Sequence, residues 1–180
     1  MKYVVLLRGI NISGKNKIAM CELKELLKSN NYKNVVTYLN SGNVILDSDD
    51  SKENVASNIN TLIKRHFNLD IPVYVITYHE LGDILKNSPS FLKENKKEIY
   101  NNIIFIFPDL NFLEIKECIG EFDDNIDRIE NYNNVIFWSF DLNNYRKSVW
   151  WKGTAKYYIK DKITIRTLNT VRKLYELCGK

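Results

Sequence analysis

The residues best suited to chemistry stand near the start of the chain, in Gly9-Ile-Asn11-Ile-Ser-Gly14-Lys15-Asn16. The spacing satisfies GxxxxGK, the phosphate loop, in which glycines let main-chain N–H groups cradle phosphate oxygens while the lysine neutralises them. Two features depart from the nucleotide-hydrolase form. Asn16 stands where a Ser or Thr hydroxyl would hold magnesium, and the element order around the loop is antiparallel, whereas the hydrolase loop sits in a parallel βαβ crossover. A weaker chemistry survives: loop and helix amides with Arg8, Lys15 and Lys17 around them can take an anion without hydrolysing it. The alternative is that Gly9 and Gly14 only permit unusual backbone angles, with the lysines solvated.

The rest of the chain offers little catalytic machinery. His66 and His79 lie on different elements, and neither is joined by residues at metal-ligand spacing. No GxSxG elbow, HExxH pair or glycine-rich dinucleotide fingerprint occurs. Ser41 sits on a tight turn with no histidine placed to activate it. Asp49-Asp50 and Asp123-Asp124 read as loops. Cys21, Cys118 and Cys178 are odd in number and form no CxxC pair, so they are expected as free thiols rather than a disulfide framework or zinc site. No catalytic residue, metal or organic cofactor is therefore expected.

These groups must be held by elements that the hydrophobic pattern makes readable. Residues 2–7 (KYVVLL) are almost wholly apolar, as a central strand should be. Ala19–Ser29 places Met20, Leu23, Leu26 and Leu27 on one helical stripe. Asn34–Leu39 and Asn43–Asp47 read as a hairpin around Asn40-Ser41-Gly42. Asp50 with Glu53 forms a capping box for a helix burying Val55, Ile59, Leu62 and Ile63, and Ile71–Thr77 is a strand. A short helix capped by Thr77 and Glu80 comes next. The order is β-α-β-β-α-β, the ferredoxin-like pattern.

Residues 87–102 are charged and aperiodic and read as a linker. The order then recurs. Ile103–Phe107 is a strand, Asp109 caps a helix to about Phe122, and Ile126–Glu130 with Val135–Phe140 forms a hairpin around Asn133-Asn134. Asn143–Trp151 is a helix ending at Gly153, Ile163–Arg166 a short strand, and Thr167 caps a last helix with Leu168, Val171, Leu174 and Cys178 inward. The expectation is an α+β protein of two ferredoxin-like subdomains, 1–86 and 103–180, the second including the C-terminal helix. In that topology the first strand-to-helix loop and the turn between strands two and three share one end of the sheet. Gly9–Lys17 is thus expected beside Ser41, Gly42 and Asn43.

Charge is segregated along the chain. Residues 1–40 carry a net +5, residues 41–141 a net −9 and residues 142–180 a net +8, together the formal +4 of the whole. Two basic ends meeting on one face would make a positive patch behind a modest total. Phe105 with Phe107, and Trp138 with Phe140, read as core rather than as base-stacking rings. Tyr145-Arg-Lys-Ser-Val-Trp-Trp-Lys152 mixes cations and large rings, and its adjacent tryptophans point about 100° apart on a helix, so at least one is left for a subunit contact, a stacked base or nothing.

Two segments also carry a family resemblance. LLRGINISGKNKIAM followed by TYLNSGNVIL resembles the opening signature of a bacterial family of unknown function, DUF 1697, and ITIRTLNTVRKL resembles its closing motif, usually written near TxRNWNTVxKL. Arg166, Asn169, Thr170 and Lys173 match that motif, while Thr167 and Leu168 stand where Asn-Trp is usual. The resemblance spans almost the full chain. It implies an α+β fold of two related subdomains and supplies no established activity.

Taken together the residues support a non-catalytic module that binds an anionic ligand (a nucleotide, a phosphorylated metabolite or nucleic acid) at the first strand-to-helix loop. Arg8, Gly9, Asn11, Gly14, Lys15, Asn16, Ser41, Gly42 and Asn43 would form the site, with Arg166, Asn169 and Lys173 joining from the basic tail. Two alternatives stay open: an enzyme acting on a phosphorylated small molecule through the GxxxxGK loop, and an assembly protein with a homodimer contact at Trp150 and Trp151. No apolar run approaches the ~18 residues of a membrane span, and the opening run is too short for a signal-peptide core, so no membrane partner and a cytoplasmic location are expected.

Overall fold

From Tyr3 onward the first strand is apolar on both pleat faces, and accordingly β1 (Lys2–Leu7) lies inside its sheet between two neighbours. The computed structural model describes residues 1–94 and 96–180, and of Tyr157 the backbone alone. After β1 come α1 (Met20–Ser29), β2 (Lys33–Tyr38), β3 (Asn43–Asp47), α2 (Lys52–Phe67), β4 (Val73–Thr77) and α3 (Tyr78–Lys86). A 3-10 turn (Ser90–Lys93) precedes β5 (Ile99–Ile106), α4 (Phe112–Ile119), β6 (Asp127–Tyr132) and β7 (Val135–Asp141). The chain closes with α5 (Val149–Gly153), α6 (Tyr157–Lys160), β8 (Ile163–Thr167) and α7 (Leu168–Cys178). The described strands form two four-stranded sheets, ordered β2-β3-β1-β4 and β6-β7-β5-β8, with every pair antiparallel.

The chain divides into two compact units, Met1–Gly82 with Lys173–Lys180, and Asp83–Arg172. The hydrophobic pattern assigns the closing helix wholly to the second half; its last residues instead group with the first unit. The stretch read as linker holds the 3-10 turn and the first four residues of β5, because the alternation of that strand begins at Ile99 rather than Ile103.

In the first unit Tyr3, Val5 and Leu7 of β1 share a face with Val44, Leu46, Val73 and Val75, and the apolar stripes of α1 and α2 (Leu23, Leu27, Val55, Ile59, Ile63) close over it. Burial of that many side chains at roughly 1.5–3 kcal/mol each is what holds the sheet to its helices. In the second unit Ile104, Ile106, Ile136, Trp138 and Phe140 meet Ile115, Ile119 and Trp150. Phe105, Trp138 and Phe140 are all buried, as core rings should be.

Helix starts obey the cap chemistry, with some shifts. Thr77 and Glu80 do bind each other's main-chain N–H at the head of α3, at 2.9 and 3.1 Å. Thr167 Oγ1 accepts from Thr170 N–H at the head of α7. The cap of α2 is Ser51 rather than Asp50, and that of α4 is Asn111 with Glu114 rather than Asp109. The helix expected over 143–151 is only the single turn α5, because residues 142–147 are spent in turns and Ser148 caps the helix at Val149. Among the described residues no helix is long and apolar enough to cross a membrane.

Candidate anion-binding site

The end of β1 is fixed before the loop begins. Leu7 N–H donates to Gly42 O at 2.8 Å and Arg8 N–H to Pro72 O at 3.0 Å. Beyond them the chain turns through a run of left-handed residues: Gly9, Asn11, Ser13, Gly14 and Asn16 all have φ between +47° and +78°. Only glycine and short polar residues adopt that region at small cost, so this composition is what the loop's path requires. Lys15 N–H closes on Ile12 O at 2.9 Å and Asn11 N–H on Asn16 O at 3.1 Å, a small hairpin projecting Ser13, Gly14 and Lys15 into solvent.

Asn11 holds this hairpin to its surroundings. Its Nδ2 donates to Ile18 O (2.9 Å) and Asn40 O (2.8 Å), and its Oδ1 accepts from Ile18 N–H (3.0 Å). Asn16 Nδ2 donates back to Gly9 O at 2.9 Å. Across the seam Asn43 is fully buried, donating to Tyr38 O and Ser41 Oγ. Gly9–Lys17 therefore does lie beside the Asn40–Asn43 turn, and three amide side chains there brace main-chain or hydroxyl oxygens of the protein itself.

The recess between loop and turn is open and about 460 Å³ in volume, lined by Asn11, Gly14, Lys17, Ala19 and Asn40 among others. At its back α1 begins with Ala19, an extended N-cap whose side chain has no oxygen to offer the first-turn amides. Lys17 lines it and is exposed, Lys15 is exposed on the hairpin, and Arg8 is half-buried at the end of β1. The one acid in the first turn, Glu22, turns to His66, whose Nε2 stands 2.8 Å from the carboxylate.

The hydrolase alternative meets a geometric obstacle here. A phosphate loop delivers its lysine at the first turn of the helix that follows the strand; here Lys15 sits in the hairpin and α1 starts only at Met20, and both sheet neighbours of β1 run antiparallel to it. Among the described residues no group of three or more His, Cys, Asp or Glu is placed to hold a metal ion.

The three tail residues expected at this site are divided between the units. Arg166 lies in β8 of the second unit, buried, its Nη1 donating to Thr164 Oγ1 and Ile165 O at 2.9 Å each. Asn169 is exposed in the first turn of α7, in the same unit. Lys173, grouped with the first unit, pairs with Glu176 at 2.9 Å.

Sequence reasoning passed over Asp127, which is buried in the second unit and whose Oδ1 accepts from Trp138 Nε1 (2.8 Å) and Ser148 Oγ (2.7 Å). The available signal was an aspartate at the head of a strand, opposite Phe140 in register. Trp150, read as half of a dimer contact, is fully buried against Phe112 and Phe122, so only Trp151 of the pair faces outward.

Fold and loop together define an α+β protein of two antiparallel four-stranded sheets with a braced, cationic strand-to-helix loop. The chain belongs to the family described as "Protein of unknown function (DUF1697)", whose model matches residues 1–137. It is also similar in structure to the conserved bacterial protein SP0830 from Streptococcus pneumoniae, at 25% identity and a TM-score of 0.85 over 98% of each chain. No curated protein matches the sequence.

Proposed function

We propose that this is a non-catalytic module, built of two ferredoxin-like halves, that binds an anionic ligand at the loop between β1 and α1. The strand orders β2-β3-β1-β4 and β6-β7-β5-β8, with helices between the strands, support the ferredoxin-like reading. The observation that carries the binding site is the recess itself, in which the uncapped start of α1 opens between Lys17 and the Asn40 turn. An α-helix presents about half a positive charge at that end, and its first N–H groups have no partner within the helix. Lys17 adds a cation to the lining of the recess, and Lys15 a second on the adjoining hairpin. In this reading Asn11, Asn16, Gly42 and Asn43 shape the site, while Arg8, Gly14, Lys15, Lys17 and the first amides of α1 meet the ligand. Its class is a phosphorylated metabolite, a nucleotide or the phosphate backbone of a nucleic acid. Three free thiols and a relative from Streptococcus pneumoniae support a bacterial, cytoplasmic setting.

The test is an amide-resolved NMR titration with inorganic phosphate, pyrophosphate and ATP. Shifts confined to residues 9–22 and 40–43, saturating with ligand and lost in Lys15→Ala/Lys17→Ala, are the expected result. Shifts absent up to millimolar pyrophosphate and ATP overturn the site.

A further inference from the structure

The second unit carries a surface of different character, centred on Trp151. This side chain is 43% exposed and stands edge-on to two rings, Tyr145 at 5.2 Å and Phe140 at 5.5 Å between centroids. Phe140 in turn meets Tyr100 at 5.5 Å, and Tyr100 is 37% exposed. The rings therefore run as a continuous ladder, Tyr145–Trp151–Phe140–Tyr100, with Trp151 and Tyr100 exposed, Tyr145 half-buried and Phe140 buried. Arg146 lies over the Tyr145 ring at 5.7 Å, and Lys147 and Lys152 are exposed on either side of Ser148–Trp151 in sequence.

Two further observations separate this surface from an incidental exposed tryptophan. The first is charge: residues 142–160 contain five Lys or Arg and no Asp or Glu, in a chain whose preceding hundred residues are acidic on balance. The adjoining Asp141 carboxylate accepts from Asn143 N–H (2.8 Å) and Asn144 Nδ2 (3.4 Å). The second is rigidity. Trp151 N–H donates to Ser148 Oγ at 2.8 Å, and that hydroxyl donates to buried Asp127, which also holds the Trp138 indole. The main chain that carries the exposed ring is thus tied to a buried polar network. Rigid rings give up little conformational entropy when something stacks on them.

We propose that Trp151, Tyr145 and Tyr100 with Arg146, Lys147 and Lys152 form a platform for single-stranded nucleic acid. Exposed rings accept any base by stacking, and neighbouring cations track the phosphates. A protein partner would need hydrogen-bonding or acidic groups to match such a rim, and a second copy of the chain would bring its own +8 basic tail against this one. No residue of the β1–α1 loop takes part in it, and it does not rest on the function proposed for that loop.

The probes are fluorescein-labelled dT12 and rU12, monitored by anisotropy and by quenching of tryptophan emission between low and moderate salt. The wild-type protein is expected to bind with affinity that falls as salt rises, and with quenching. Trp151→Ala should weaken binding by about tenfold or more while keeping its far-UV spectrum, since one stacked base contributes roughly that much. Trp151→Phe, which keeps a stacking face, should restore most of the loss. Lys147→Ala/Lys152→Ala should make the salt dependence shallower by about two phosphate contacts. The proposal is overturned by no binding at low salt, by equal binding of Trp151→Ala, or by loss of binding in Lys15→Ala/Lys17→Ala with Trp151→Ala unaffected. A wild-type dimer that Trp151→Ala converts to monomer overturns it as well, because a second copy would then cover the ring.

Discussion

Gly42 lies so close to Leu7 that a Cβ on the glycine would stand 2.6 Å from the Leu7 Cβ and 2.9 Å from Ile10 Cδ1. The same pair is joined by the Leu7 N–H bond to Gly42 O. The turn between β2 and β3 is therefore pressed against the end of β1, and this close approach brings the Asn40–Asn43 turn beside the loop.

Gly42→Ala should accordingly be costly for two reasons. Its φ of +78° strains any L side chain, and the methyl has no room. Together these are worth on the order of 3 kcal/mol. Gly14 provides the control: its φ is also +78°, but nothing lies within 4 Å of where a Cβ would be. Gly14→Ala should cost only about 1 kcal/mol. Urea unfolding of both variants measures the difference, and equal losses would remove packing from the explanation.

The sheet also sets a pH dependence. Tyr74 of β4 has its phenol pushed up to about 12, first by burial and then by the charge of Glu80. In the unfolded chain a tyrosine ionises near 10. Between these two values the unfolded state has given up a proton that the folded state retains, so stability falls as pH climbs from about 10 to about 12. The loss from this group is on the order of 2 kcal/mol when complete. Burial raises Tyr3 and Tyr32 in the same direction, so the wild-type curve contains their share too. The urea midpoint of wild type should fall relative to that of Tyr74→Phe as pH rises through this window; parallel curves would mean that Tyr74 ionises freely in the fold.

How much of this was legible in the sequence depends on the range of the interaction that decides each feature. Alternation is local, and it placed β1, β2, β3 and β7 to within a residue or two. Topology carried the loop to the Asn40–Asn43 turn, because antiparallel neighbours must share an end. Caps slipped by a residue or two where several Asp, Asn and Ser compete, as at Asp50 and Ser51, since spacing alone does not say which side chain reaches the N3 amide. The helix expected over 143–151 shrank to one turn because Ser148 is drawn inward by Asp127, a partner 21 residues away that no local pattern reveals. Ser148, held in this way, caps the turn in which Trp150 is buried and Trp151 exposed.

Asp127 is consequently the residue whose loss should reach furthest in the second unit. Asp127→Ala removes the acceptor for both the Trp138 indole and the Ser148 hydroxyl, leaving two donors in a dry interior and a small void. That combination should cost about 3 kcal/mol. Asp127→Asn keeps an oxygen at the Oδ1 position, and its amide falls where Oδ2 has no hydrogen-bond partner among the described residues. It should cost less than about 1.5 kcal/mol, because both donors stay satisfied. Ser148 freed from Asp127 also loosens its hold on the Trp151 N–H. Acrylamide should therefore quench tryptophan emission more strongly in Asp127→Ala than in Asp127→Asn under native conditions. Equal quenching, with unfolding midpoints in the expected order, would mean that Trp151 is positioned by its ring contacts with Phe140 and Tyr145 alone.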